Sequence, residues 1–232
     1  MSGFWERLPL DLLIATPISG SDQVHWEWQA NIRNLQIPPG MKFVHMKFPE
    51  PVIDITRDKA VQYAIQSGAK WLYFLDSDVI PPPDVIPRLM AHDKPIVAGL
   101  YVRRWNPPFN EMLRFRTDGM PGLRPIMDGE YVPGSLVGCD AVATGCVLIK
   151  TEVFERMKPF EMTIDGKPAR PAWFLWTEWR LPVGASEDFS FFTRAKQQGI
   201  PVYCDTSLRC RHIASLKLVP SGNNSTQIEF MG

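Results

Sequence analysis

The sequence predicts an α/β fold, with a Rossmann-like, mostly parallel central sheet flanked by helices. Three observations carry this. Short apolar runs alternate with amphipathic helical stretches through the first part of the chain, the β-α-β-α-β pattern of a parallel sheet covered by helices. One of those runs, Trp71–Leu75, stops at Asp76-Ser77-Asp78 and three prolines. Two carboxylates therefore stand at the mouth of a strand, where open α/β sheets bind ligands. The 22 prolines in 232 residues, many paired or beside glycines, point to long shaped loops rather than a helical bundle.

The elements follow in order. Residues 10–15 are apolar and meet Thr16-Pro17, a first buried strand ending in a loop. Residues 23–35 place Val24, Trp28, Ile32 and Leu35 at helical spacing, with Asp22 as N-cap. A turn at 37–40 leads to an alternating strand at 42–48. Residues 54–66 form a helix with Ile55, Ala60, Val61, Ala64 and Ile65 on its apolar face, and Gly68 stops it. The strand at 71–75 comes next. A short helix at 83–92, marred by Pro87, and a strand at 95–102 continue the pattern.

The middle of the chain differs. Residues 103–134 are rich in Pro, Gly and Arg, with a strand at 112–115. One or two strands fall within 136–149, around Thr144-Gly145. Thr151 caps a short helix at 152–157. Residues 160–182 read as an aromatic loop holding Trp173, Phe174, Trp176 and Trp179. Ser186 opens a helix at 187–198, and short strands follow at 201–204 and 209–213. The expected organisation is one domain over 1–220 and a frayed polar tail over 221–232.

Composition excludes little but is informative. Hydrophobic residues make up 45% and charged residues 22%, with zero net charge and a pI near 6.9. That gives no global electrostatic case for nucleic acid or an acidic membrane surface. The N-terminus lacks a basic and then apolar signal pattern, and no apolar run reaches the ~18 residues of a membrane span. A soluble, cytoplasmic protein is expected. The four cysteines show neither C-x-x-C nor zinc-like spacing, so they read as small buried hydrophobes, with a disulfide as the minor alternative.

Chemistry concentrates in a few places. Asp76 and Asp78 at i and i+2 on a strand exit can converge on a divalent cation, and a cation neutralises the phosphates of a nucleoside diphosphate. The alternative is a polar turn. Glu187-Asp188 open a helix after a Gly-bearing loop, so they serve either the helix dipole or an acceptor hydroxyl as general base. His212, in a short late strand, is either structural or a ligand completing an oxygen-rich metal site. Arg103-Arg104 could hold phosphate or an acidic acceptor, or sit in a solvated loop. The tryptophans of 173–179 suit a core layer and a sugar platform equally. No P-loop, G-x-G-x-x-G, H-E-x-x-H or G-x-S-x-G motif is present.

Taken in this order, residues 10–213 resemble the GT-A glycosyltransferases, and look most like glycosyltransferase family 2. Four features carry the resemblance. The first strand ends in Ala15-Thr16-Pro17. Arg57 opens the helix before the D-x-D strand. A Thr144-Gly145-Cys146 segment precedes a short helix. Ser186-Glu187-Asp188-Phe189 is followed by the late His212.

The resemblance implies a metal-dependent transfer of a single sugar from a UDP- or GDP-sugar. Asp76 would contact the donor ribose or the metal. Asp78 and His212 would ligate Mn²⁺ or Mg²⁺. Thr16, Pro17, Arg57 and Ser77 would belong to the nucleotide pocket. Asp188 would be the base of an inverting enzyme, with Glu187 on the acceptor or donor sugar. Gly145 and Trp173 would shape the acceptor side. The acceptor would be a glycan, a lipid-linked sugar, a protein or a small molecule. No Q-x-x-R-W follows the Glu-Asp pair, which argues against a processive synthase.

Two other classes share the sheet. A sugar-phosphate nucleotidyltransferase would want a Gly-rich basic loop after the first strand, yet residues 16–22 hold one Gly and no Lys or Arg. A non-catalytic carbohydrate-binding protein of the same fold would not need the carboxylates.

Overall fold

The computed structural model describes residues 9–18, 24–104, 108–120, 122–164, 167–176, 186–220 and 226–231. The first half of the chain runs β1 (Leu12–Ile18), α1 (Trp26–Asn34), β2 (Phe43–Pro49), α2 (Ile53–Gln66), β3 (Trp71–Leu75), β4 (Val79–Ile80), α3 (Val85–Ala91), β5 (Ile96–Leu100), β6 (Met112–Phe115) and β7 (Leu123–Pro125). It continues with β8 (Leu136–Cys139), β9 (Ala141–Val142), β10 (Cys146–Lys150), α4 (Thr151–Met157), β11 (Phe160–Ile164) and β12 (Lys167–Ala172). The last part holds α5 (Glu187–Gln197), β13 (Val202–Arg209), β14 (Arg211–His212), β15 (Ser215–Pro220) and β16 (Thr226–Met231).

The main sheet has seven strands in the order β2-β1-β3-β10-β5-β13-β8. β2, β1, β3, β5 and β13 run one way, and β10 and β8 run against them. The predicted mostly parallel α/β sheet is thus present. From β1 the chain crosses first to β2 on one side and then to β3 on the other. That reversal opens a crevice at the carboxyl ends of β1 and β3, the place where such sheets take ligands.

Both faces of the sheet are covered, which explains why its strands read as unbroken apolar runs. On β3, Leu72 and Phe74 join the core shared with α2, α4 and α5, where Ala60, Val61, Phe154, Phe191 and Phe192 are buried. Tyr73 and Leu75 point to the other core, which Val85, Ile86 and Leu89 of α3 close. Burying each such large side chain contributes about 1.5–3 kcal/mol.

Several details differ from the sequence reading. Asp22 lies outside the described residues; His25 takes the N-cap position of α1, its Nδ1 accepting from the Glu27 N–H at 3.3 Å. Thr151 is the first residue of α4 and not its cap, because its N–H is drawn to the Lys70 carbonyl at 3.0 Å. Phe160–Ile164 and Lys167–Ala172, expected as loop, pair antiparallel as β11 and β12. Two prolines, Pro168 and Pro171, disguised the second strand. Arg170 ties this hairpin to α2 through Asp54, at 3.0 Å, and through Asp58. Thr226–Met231, expected as a frayed tail, pairs antiparallel with Ser215–Pro220.

The four cysteines are free, and Cys146 and Cys210 lie 3.5 Å apart, sulfur to sulfur, in the core. Among the described residues no helix is long and apolar enough to cross a membrane.

Candidate active site

The site is assembled at the carboxyl end of β3. Because β10 runs antiparallel to β3, its first residue Cys146 pairs with Leu75, and Gly145 falls opposite Asp76. The Asp76 N–H donates to the Gly145 carbonyl at 3.0 Å. The Gly145 N–H donates in turn to the Tyr101 hydroxyl at 2.9 Å. A Cβ on residue 145 would come within 2.5 Å of that hydroxyl and 3.0 Å of Asp76 Oδ2. Glycine is required here so that β10 can pass directly under the carboxylate. Gly145, expected to shape the acceptor side, therefore acts as the floor beneath Asp76. From the other side, Trp28 Nε1–H donates to the Asp76 carbonyl at 2.9 Å.

β4 and β14 explain how a late histidine reaches this turn. The two-stranded ladder pairs His212 with Val79, next to Asp78, and the Ile213 N–H donates to the Asp78 carbonyl at 2.8 Å. His212 Nδ1 lies 2.8 Å from the Val102 carbonyl, which fixes the hydrogen on Nδ1 when the ring is neutral. Nε2 then presents its lone pair towards Asp78 Oδ2, 3.5 Å away. Tyr101 packs edge-on against the ring. Burial works against charge on His212, but its bonds to Asp78 and Val102 outweigh this and raise its pKa. Burial likewise opposes ionisation of Asp78, but His212 and Arg104 hold its carboxyl below the ordinary range.

A second group of acids meets this pair from α5, with one buried arginine among them. Arg57 of α2 is 2% exposed. It donates through Nη2 to Asp76 Oδ2 at 3.2 Å, and its Nε lies 3.5 Å from Glu187 Oε1 and 3.6 Å from Asp188 Oδ1. Burial disfavours its charge, yet the three surrounding carboxylates keep its pKa raised. Asp188 Oδ1 accepts from the Thr144 hydroxyl at 2.6 Å, and Oδ2 takes a longer contact from the Thr144 N–H at 3.4 Å. So α2 and α5 bring one cation and two acids to the strand end that carries the D-x-D pair.

Burial, and then the neighbouring Asp188 charge, push Glu187 up to about 8 against the pull of Arg57. Burial also pushes Glu111 up to about 7, against Arg103. Asp76 is raised by burial against Arg57. A carboxyl whose folded pKa is raised binds protons more tightly folded than unfolded, so stability falls as pH rises between the two values. For Glu187 that window runs from 4.5 to about 8. Glu187→Gln is expected to remove this loss, so the variant gains stability relative to wild type between about pH 5 and about pH 8. Urea unfolding at both pH values measures it. Equal pH slopes in the two proteins would show that Glu187 titrates normally.

Two clefts share Asp76 and Asp78. One, of about 400 Å³, is bounded by Pro17, Val52, Thr56, Ser77 and the half-exposed Trp176. The other, of about 420 Å³, is bounded by Arg57, Tyr101, Glu111, Glu187, Asp188 and His212. Asp76, Asp78, Arg57, Glu187, Asp188 and His212 are thus brought together, with Pro17 and Ser77 alongside.

Two expected residues are not part of this group. Thr16 is fully buried, with its hydroxyl 3.0 Å from His45 Nε2. Trp173 is a core residue: its indole N–H donates to the Phe154 carbonyl at 2.9 Å, and its backbone N–H to Asp58. Asp58 draws the chain after β12 inward, so Trp173 and Phe174 serve the core while Trp176 emerges at the cleft. Trp179 lies outside the described residues. Glu111 carried no sequence signal, being a single acid in a stretch without periodicity; Tyr101 is legible only as part of the strand read at 95–102, and Thr144 only as part of the Thr144-Gly145-Cys146 segment.

The donor set fits a divalent cation in part. Asp78 Oδ2 and His212 Nε2 face each other, and Asp76 Oδ1 is buried with no hydrogen-bond partner among the described residues. No three His, Cys, Asp or Glu side chains among the described residues form a complete metal cage.

The sequence matches no protein-family model and no curated protein. Solved structures do resemble it. "A197 from STIV" aligns over 96% of this chain and 95% of that chain, at 18% identity and a TM-score of 0.52. "GalNAc-T7 with UDP, GalNAc and Mn2+" aligns over 90% of this chain, at 12% identity and a TM-score of 0.55. This chain spans only 45% of that longer one. The fold is therefore of the GT-A glycosyltransferase type.

Proposed function

We propose that the protein is a metal-dependent glycosyltransferase. It moves one sugar from a UDP- or GDP-sugar to an acceptor hydroxyl on a glycan, lipid-linked sugar, protein or small molecule. The observation that carries this reading is the convergence of Asp78 and His212 with the Glu187–Asp188 pair at the mouth of β3. The GT-A-type fold and the Mn²⁺, UDP and GalNAc in the GalNAc-T7 structure support it by analogy.

In this reading the cleft beside Pro17 and Trp176 takes the nucleotide, and the cleft beside Asp188 takes the acceptor. Asp78 and His212 would hold Mn²⁺ or Mg²⁺, which supplies positive charge to the departing diphosphate. The acceptor oxygen bonds to the anomeric carbon from the face opposite the diphosphate. The bond from that carbon to the phosphate oxygen breaks, and configuration inverts. The acceptor proton passes to Asp188 Oδ2, the oxygen with the longer Thr144 contact, while the Thr144 hydroxyl fixes Oδ1. Glu187, whose carboxyl burial and the Asp188 charge push up to about 8, lines the same cleft and would bond a sugar hydroxyl there. Arg57, nearly fully buried, keeps the three carboxylates oriented.

The experiment is a panel of UDP- and GDP-sugars incubated with the protein and Mn²⁺, read as release of nucleoside diphosphate. Slow hydrolysis of at least one donor, abolished by chelator, is expected. Binding of a donor without any turnover would favour a non-catalytic carbohydrate-binding protein. Pyrophosphate release from a nucleoside triphosphate and a sugar phosphate would instead identify a nucleotidyltransferase.

A further inference from the structure

Arg104 occupies an unexpected place for a loop arginine. Its Nη2 lies 2.9 Å from Asp78 Oδ2, the same oxygen that faces His212 Nε2. Its Nη1 donates to the Ile213 carbonyl at 3.2 Å, just beyond β14. The guanidinium thus clamps together the two segments that bring Asp78 and His212 face to face. Its side chain is 40% exposed, so leaving this position exposes no core.

We infer that Arg104 is a resident cation that competes with the metal for Asp78, and that a nucleoside diphosphate draws it away. The inference rests on the reading of Asp78 and His212 as metal ligands. A divalent ion between those two side chains would stand beside the guanidinium, and like charges at such separations oppose each other strongly when partly desolvated. Without nucleotide, metal entry must expel Arg104 from Asp78, its one carboxylate partner among the described residues, into solvent. With nucleotide, the departing guanidinium meets phosphate oxygens, for which its planar fork is well suited. Metal and diphosphate therefore bind as a linked pair, and Arg104 is a positioning residue that supplies part of the linkage.

Mn²⁺ binding tests this without reference to turnover. Free Mn²⁺ is followed by electron paramagnetic resonance for wild type, Arg104→Gln, Arg104→Lys and Asp78→Asn, each with and without UDP or GDP. In the absence of nucleotide, Arg104→Gln is expected to bind Mn²⁺ about tenfold or more tightly than wild type, and Arg104→Lys to stay close to wild type. The gain in Mn²⁺ affinity on adding nucleotide should be smaller in Arg104→Gln than in wild type. Asp78→Asn should abolish Mn²⁺ binding. If Arg104→Gln binds Mn²⁺ no better than wild type while Asp78→Asn loses it, the metal site stands and the role given to Arg104 is wrong. If Asp78→Asn binds Mn²⁺ like wild type, the metal reading fails and this inference fails with it.

Discussion

Asp188→Asn is expected to lower kcat for sugar transfer by about 10²–10⁴-fold while leaving donor binding within a few-fold of wild type. The asparagine keeps the shape of the side chain and can still accept from the Thr144 hydroxyl, now 2.6 Å from Oδ1. What it loses is a place for the acceptor proton. The measurement is a transfer or donor-hydrolysis rate paired with calorimetric donor affinity on the same preparation. Turnover within about tenfold of wild type would remove Asp188 from the role of base. Loss of donor affinity in step with rate would make it a binding residue instead.

Arg57→Met should give the largest loss of stability of any single change at the site, about 3–5 kcal/mol. Arg57 is 2% exposed and is the cation shared by Asp76, Glu187 and Asp188. Methionine fills much of the aliphatic volume but leaves three acids facing one another. The effect should depend on pH. Asp76 and Glu187 are already raised by burial, and removing the cation raises them further. Raised carboxyl pKa values make stability fall as pH rises, so the variant's deficit should be small near about pH 5 and grow towards about pH 8. Chemical denaturation across that range checks it. A deficit that is constant with pH would mean that Arg57 contributes packing, over the Phe74 ring for instance, rather than charge.

The parts of the fold legible in sequence were those where local pattern and tertiary burial agree. β3 was read to the residue, because an apolar run is cut off by two acids and three prolines. β6 was also read to the residue. α2 was displaced by one residue at its start. The direction of β10 was not legible, since a short buried strand looks the same read either way. Yet that reversal is what puts Gly145 under Asp76. The hairpin β11–β12 was hidden by Pro168 and Pro171, and the closing strand β16 by its polar flanks.

Legibility of the site followed the same rule. Asp76, Asp78, Glu187, Asp188 and His212 sit at element ends, where a polar residue after an apolar run stands out. Their meeting was an inference from motif order, and the β4–β14 ladder supplies its physical means. For Trp173 the residue pattern leaves core layer and sugar platform open, because an aromatic cluster does not say which ring faces the core. The answer lay in Asp58, a buried acid in α2 that accepts two backbone N–H groups after β12. Glu111 was missed because its burial comes from Tyr101 and Ala143, whose backbones bond its own N–H and carbonyl. No local pattern foretells that pairing.

The central claim is that Asp78 and His212 together hold a cation for a nucleoside diphosphate. Calorimetric titration of UDP and of GDP into wild type and His212→Ala, with and without Mn²⁺, tests it most directly. One nucleotide should bind wild type at least about tenfold more tightly with Mn²⁺, and His212→Ala should lose that gain while keeping its metal-free affinity. Nucleotide affinity in wild type that is indifferent to Mn²⁺ would contradict the account.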